Sequence, residues 1–261
     1  MSDHRRCARL AAWGSAWLAG TAAFDQVLDA VTGRGRVVAG PGFEADGLNP
    51  VGVALTEWRR AGSAALRLVL PVPGDVRGLA GPAGFRATAL DAGQAVFGNG
   101  FGVTVVAGPV TPSSAGRELV WHRAASDAPA APFELASHPV ASTAGLADAE
   151  YELAEAIRQT ASEFTRRGAT SWLTDIAPAL SDARRAGERL HLPASHPARA
   201  VRLIAQAERL TAVFSVLDRD DTGAVTAGEL AERSQALAPL RLAVRQALLA
   251  GYNAPAEVAA G

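Results

Sequence analysis

Apolar positions recur along this chain at two spacings, and the pattern changes character near the middle. Phe24, Val27, Leu28 and Val31 fall at i, i+3, i+4 and i+7, the spacing of one helix face, with Thr21 placed to cap it. Trp13 and Trp17 stand one turn apart on a shared face, so the pattern predicts a pair of opening helices. A Gly-rich loop then leads to Asn49-Pro50, a capping side chain before a first-turn proline. It starts a helix that runs through Leu55 and Trp58 to about Gly62. Ala64 to Leu70 is apolar except for Arg67 and predicts a strand, and Phe85 to Leu90 predicts a further helical piece. Strands are expected at 95–97, 103–107 and 119–123, separated by Gly- and Ser-rich turns and close enough to pair as hairpins.

Ser126 to Thr143 is a Pro/Ala/Ser stretch without periodicity and reads as a linker, beyond which every pattern is helical. Leu146, Leu153, Ile157 and Phe164 mark one stripe, and Trp172, Leu173, Ile176 and Leu180 a second. Leu203, Leu210, Phe214 and Leu217 mark a third, opened by Ser195-His196-Pro197. A short helix from Ala227 to about Leu237 is expected next, with Pro239 turning it into a last helix carrying Leu240, Val244 and Leu248. The expected fold class is therefore α+β: N-terminal helices with a small, mostly antiparallel sheet, followed by a C-terminal helical bundle. The expected division is a domain at 1–125, a linker at 126–143 and a helical domain at 144–261.

Composition narrows the function. The chain has 261 residues, enough for a substantial core, and a net charge of -1, which argues against nucleic acid or an anionic membrane as partner. It contains no lysine, and its arginines are interleaved with acids as on a solvated surface. Cys7 is the one cysteine, which excludes an internal disulfide and a cysteine-rich metal site. No segment reaches the roughly twenty uninterrupted apolar residues of a membrane helix. Arg5-Arg6 before an Ala/Trp/Leu-rich stretch has a faint look of a signal peptide. Gly14, Ser15 and Gly20 interrupt that stretch and the helical register continues beyond it, so a retained N-terminus and a cytoplasmic protein are expected.

The sharpest chemical signal runs from Asp218 to Glu229. Asp218, Asp220, Thr222, Thr226 and Glu229 place side-chain oxygens at the first, third, fifth, ninth and twelfth positions. Gly223 stands at the sixth, where the chain must turn sharply, and Ala224 offers its carbonyl at the seventh. Calcium is a hard cation that takes six to eight oxygens, and this spacing wraps one in a short loop. The segment resembles an EF-hand, which implies calcium as the cofactor. Thr222 is a weaker ligand than Asp or Asn and Thr226 acts through water, so a dissociation constant on the order of 10⁻⁵–10⁻³ M is expected. The same residues read equally as ordinary helix chemistry. Thr226-Ala-Gly-Glu229 is a capping box, Asp220 to Gly223 is a turn, and no second loop of this kind occurs in the chain.

Other candidates are fainter. Asp75 and Arg77 sit in the Pro71–Pro82 loop after the best strand, where a ligand would be met, although a rigid surface turn accounts for them as well. The string Gly98-Asn-Gly-Phe-Gly102 loosely resembles a nucleotide-binding loop, but β-branched residues follow it, so a hairpin turn is expected. None of the five histidines stands at metal spacing from a second ligand, and no catalytic motif is present, so the expectation leans away from an enzyme. A protein partner docking on the helical half is the rival to calcium binding. Three segments, Leu66-Arg-Leu-Val-Leu-Pro-Val-Pro-Gly-Asp75, His196-Pro-Ala-Arg-Ala-Val-Arg-Leu-Ile-Ala-Gln206 and Leu248-Leu-Ala-Gly-Tyr-Asn-Ala254, are similar to an uncharacterised group of actinobacterial proteins. That resemblance implies no activity.

Overall fold

A computed structural model describes residues 5–33, 36–43, 48–108, 118–124, 145–166, 190–217 and 227–258. The chain divides into two compact units. Unit 1 comprises Met1–Ser142, His191–His196 and Tyr252–Gly261; unit 2 comprises Thr143–Leu190 and Pro197–Gly251. The architecture is α+β as the patterning predicts, helices with a five-stranded sheet followed by helices.

Unit 1 opens with α1 (Arg5–Leu18) and α2 (Phe24–Thr32). Leu10, Ala11 and Ala12 of α1 are at most 1% exposed on successive positions, so this helix is buried on more than one face. Gly14 has no side chain where a Cβ would come within 2.5 Å of Leu66 Cδ1. The next residue, Ser15, donates to Ala11 O at 2.6 Å and accepts from Leu66 N at 2.9 Å. The first-turn amide of Cys7, which has no intrahelical partner, donates to Gln94 Oε1 at 3.1 Å. Arg6 reaches the carbonyls of Val31 at 2.6 Å and Thr32 at 2.8 Å, so a cation from α1 satisfies the C-terminal end of α2.

Thr21 does not cap α2 as the spacing suggested. Ala23 is the capping residue, its N–H donating to Gln26 Oε1 at 3.0 Å. Thr21 instead closes α1, its amide and hydroxyl both bonding Ala16 O, because the turn Gly20 makes at φ 75° brings it back onto that carbonyl.

The sheet runs in the order β1-β5-β4-β3-β2, with β1 (Arg36–Ala39), β2 (Arg67–Val69), β3 (Ala95–Phe97), β4 (Gly102–Ala107) and β5 (Glu118–Arg123). β1 pairs parallel to β5 and the remaining pairs are antiparallel. The first strand falls where the patterning gave only a Gly-rich loop. Four residues with partial burial have no periodicity to read, and the partner lies about eighty residues on, so tertiary pairing decides it. The flanking glycines let the backbones meet: a Cβ on Gly40 would stand 2.8 Å from Trp121 O, and one on Gly42, at φ 85°, 2.5 Å from Arg123 O.

Val96, Val103, Val105, Leu119 and Trp121 share one face by register and are at most 1% exposed. On the other face Val69, Ala95 and Phe97 pack with Phe85 and Ala89 of α4 (Ala83–Ala92). The third helix, α3 (Pro50–Arg60), starts as expected, with Asn49 Oδ1 accepting from Val51 N at 3.0 Å. Its Trp58 is fully buried and donates to Phe101 O at 3.2 Å.

β2 is an edge strand, and its outward backbone groups are paired by a side chain. Leu68 N donates to Asn253 Oδ1 at 2.7 Å, and Asn253 Nδ2 donates to Leu68 O at 3.0 Å. Both Asn253 and Leu68 are 2% exposed, so neither partner has water as an alternative.

Unit 2 contains α5 (Leu146–Arg166), α6 (Ala198–Leu217) and α7 (Ala227–Val258), the last passing into unit 1 from Tyr252. Ala149, Leu153, Ala156 and Thr160 line the buried face of α5, and Ala200, Leu203, Ile204 and Ala207 that of α6. Arg199 donates to Glu150 Oε2 from Nε at 2.9 Å and Nη2 at 2.6 Å, which holds the Glu150 carboxyl below its ordinary range. Gly251 admits Ile204, whose Cγ1 would be 2.5 Å from an added Cβ. Pro239 does not divide the last segment into two helices; α7 is continuous through it. A proline removes one amide bond, and the apolar contacts on either side, from Leu237 to Leu248, outweigh that loss. The stripe from Trp172 to Leu180 lies outside the described residues.

Replacing Asn253 by Asp tests the edge pairing. Burial raises the folded-state pKa of such a carboxyl above its unfolded value near 3.9, and only the protonated form can both donate to Leu68 O and accept from Leu68 N. Stability relative to the parent should therefore be nearly retained below about pH 4 and lost as pH rises through the folded pKa. Paired melting curves across pH measure this, and a deficit independent of pH would contradict the pairing.

Candidate functional site

The helices that frame the calcium-like segment are in place. α6 ends at Leu217 and α7 begins at Ala227, so residues 218–226 join two helices. Phe214 and Leu217 at the end of α6 are 7% and 6% exposed, and the Arg241 guanidinium carbon stands 4.7 Å from the Phe214 ring centroid. Asp218, Asp220, Thr222, Ala224 and Thr226 lie outside the described residues. The backbone of Glu229 lies in the first turn of α7. This start makes Thr226 the position before the helix and Glu229 its third residue, the spacing of a capping box as well as of a calcium loop.

Asp75 and Arg77 form a bidentate pair. Arg77 donates from Nε to Oδ1 and from Nη2 to Oδ2, both at 2.8 Å, and from its backbone N to Oδ1 at 3.3 Å. The carbonyl and amide of Val72 bond those of Asp75 across Pro73-Gly74, with Gly74 at φ 86°. The guanidinium is directed at its own loop, and the hydrogen bond and charge of Asp75 raise the Arg77 pKa. The arrangement is a closed surface turn.

The glycine string is the hairpin between β3 and β4, and packing explains its composition. A Cβ on Gly98 would stand 2.5 Å from the Trp58 ring, one on Gly102 would stand 2.2 Å from the Phe97 ring, and Gly100 turns at φ 91°. No phosphate is needed to account for these glycines.

Among the described residues no group of three or more His, Cys, Asp or Glu side chains is placed to hold a metal. His191 stacks on Trp13 at 5.2 Å between centroids while Trp13 Nε1 donates to His191 O at 2.9 Å. Burial holds the half-buried His122 below its ordinary range and pushes the fully buried Cys7 thiol up. His196 is buried at the turn before α6, and His4 and His138 lie outside the described residues.

One feature was not legible in the sequence. α2 buries Val27, Ala30 and Val31 but leaves Phe24 36% exposed and Leu28 half-buried, both facing an open groove of about 410 Å³ against α3. The periodic stripe placed Phe24 and Leu28 on one face with Val27 and Val31; the pattern gives a face but not what covers each end of it.

The comparisons with known proteins match the chain with two family models, one for each part of it. The N-terminal domain model of the Rv1486c-like proteins matches residues 7–135, and the C-terminal domain model matches residues 147–249. The uncharacterized protein Rv1486c of Mycobacterium tuberculosis (strain ATCC 25618 / H37Rv) is 31% identical over 94% of this chain and 95% of its own length. The uncharacterized protein ML1804 of Mycobacterium leprae (strain TN) is 26% identical over the same shares. The chain belongs to the Rv1486c-like family, an actinobacterial family. No solved structure matches it. No helix among the described residues is long and apolar enough to cross a membrane.

The Asp75–Arg77 pair should behave as a surface ion pair. A double-mutant cycle with Asp75→Asn and Arg77→Gln, read by urea denaturation, should give a coupling of about 0.2–1 kcal/mol, weakening with salt. A coupling several times larger would mean the loop has a structural role beyond its turn.

Proposed function

We propose that residues 218–229 form a solitary, weak calcium site that stiffens the hairpin between α6 and α7, in a cytoplasmic protein that binds rather than catalyses. The observation that carries this reading is the frame: helices end at Leu217 and begin at Ala227, so the last carboxylate of the pattern, Glu229, belongs to the first turn of the exiting helix. Asp218 and Asp220 would supply monodentate oxygens, Glu229 a bidentate pair, Thr222 a hydroxyl, Ala224 a carbonyl and Thr226 a water-mediated contact. Three carboxylates and two hydroxyls make a low-affinity site. A capping box built from Thr226 and Glu229 would favour the same helix start without metal, so calcium would add to it.

The second reading, a metal-free interaction module whose helical half docks a protein partner, is favoured by that same start at Ala227, which fits a capping box without any ion. Glu229→Gln separates the two, because glutamine still caps but no longer closes a calcium shell. Millimolar calcium should raise the melting temperature of the parent, the stabilisation reaching about 2.7 kcal/mol at a hundredfold excess over the dissociation constant, and magnesium should do so less. Glu229→Gln should melt like the calcium-free parent and ignore calcium. Calorimetric titration and melting curves measure both. No heat and no shift at several millimolar calcium leaves the capping reading, and a shift kept by Glu229→Gln moves the site elsewhere.

A further inference from the structure

The groove between α2 and α3 lies wholly within unit 1 and is independent of the calcium segment. Its volume of about 410 Å³ falls in the range of small-molecule sites, roughly 300–1,000 Å³. Phe24, Leu28, Leu48 and Val53 make its walls, with Phe24 36% and Leu48 63% exposed. Gly52 lies beside the Phe24 ring, whose Cζ would be 3.1 Å from an added Cβ, so the absence of a side chain lets the ring lie along α3.

Of the polar lining residues, Asn49 caps the start of α3, while Thr56, Glu57 and Arg60 lie toward its C-terminal end, where the two charged groups are unequal. Glu57 is paired with Arg123 at 2.7 Å between Oε2 and Nη2. Arg60, one turn further on, has no ion-pair or hydrogen-bond partner among the described residues. Among the described residues the groove is thus an apolar trough with one positive charge at one end that no ion pair offsets. Nine residues line it, against the roughly twenty to thirty a side of a stable protein interface, so its scale suits a small molecule.

We propose that this groove binds a small amphiphile, an unbranched apolar chain bearing a single carboxylate. The chain lies between Phe24, Leu28, Leu48 and Val53, and the head meets Arg60, where the planar guanidinium accepts a carboxylate in two parallel hydrogen bonds. The Glu57–Arg123 pair keeps the neighbouring carboxylate occupied, so the end of the groove presents a cation.

The test is calorimetric titration of the full chain, in chelator so that calcium plays no part, with decanoate, decanol and decyltrimethylammonium. Decanoate should bind saturably, and the neutral and cationic analogues at least about tenfold more weakly, the loss expected for one charge-assisted contact. Arg60→Glu should weaken decanoate by a similar factor with an unchanged melting temperature, since the side chain is exposed, and Leu28→Asp should remove the apolar contribution. The proposal is overturned by no saturable decanoate heat, by equal binding of decanol, or by an Arg60→Glu variant that binds as the parent does. A concentration-dependent dimer that Leu28→Asp dissociates, without decanoate binding, would overturn it in favour of a second copy of the chain.

Discussion

The side-chain amide of Asn253 does for the edge of this sheet what a sixth strand would do. In an antiparallel pair, alternate residues turn their N–H and C=O away from the neighbour. Leu68 is such a residue, bonding Asn253 with both groups while its own neighbours on either side face β3. An amide side chain matches a peptide group in having one acceptor and donors in a plane, so the reciprocal pair at 2.7 and 3.0 Å reproduces a ladder step. Without it, two buried backbone groups would stand unpaired, at roughly 1–3 kcal/mol each. The residue just before the strand so closed, Leu66, is gripped by Ser15 of α1. The first helix and the end of the last one are thereby held to residues only two apart, Leu66 and Leu68.

Those contacts explain why some parts of the fold were legible in sequence and others were not. Asn49-Pro50, the strands from Ala95 to Arg123, and the helices at 146–166 and 198–217 carry local signals, caps and periodicity, and local signals survive folding. β1 carries none, because its pairing with β5 is long-range. Thr21 carried a false one: a good capping side chain was drawn to the helix behind it, since Gly20 turned the chain back there. Asn253 gave no sign at all. A polar residue near the end of an apolar helix reads as solvated, and only the position of Leu68 makes it a buried partner.

The candidate sites divide along the same line. The glycine string and the Asp75–Arg77 loop looked like chemistry because glycines and charges are chemistry-bearing types, yet Trp58, Phe97 and a proline turn account for each of them. Beside the groove, Phe24 and Leu28 keep the same helical spacing as the buried Val27 and Val31, so spacing alone did not mark them as exposed. Residue type and spacing report what a segment can do; packing decides whether it does it. The calcium segment is the case where spacing is most specific, and its two flanking helices are compatible with both an ion and a simple cap.

Native-state hydrogen exchange at the Leu68 amide tests the edge closure most directly. If Asn253 completes the sheet, that amide exchanges as slowly as those of Val103 and Val106 in the interior of the sheet, and Asn253→Ala speeds it well beyond any change at those two positions. Exchange at Leu68 as fast as at an open strand edge in the intact chain would contradict the account.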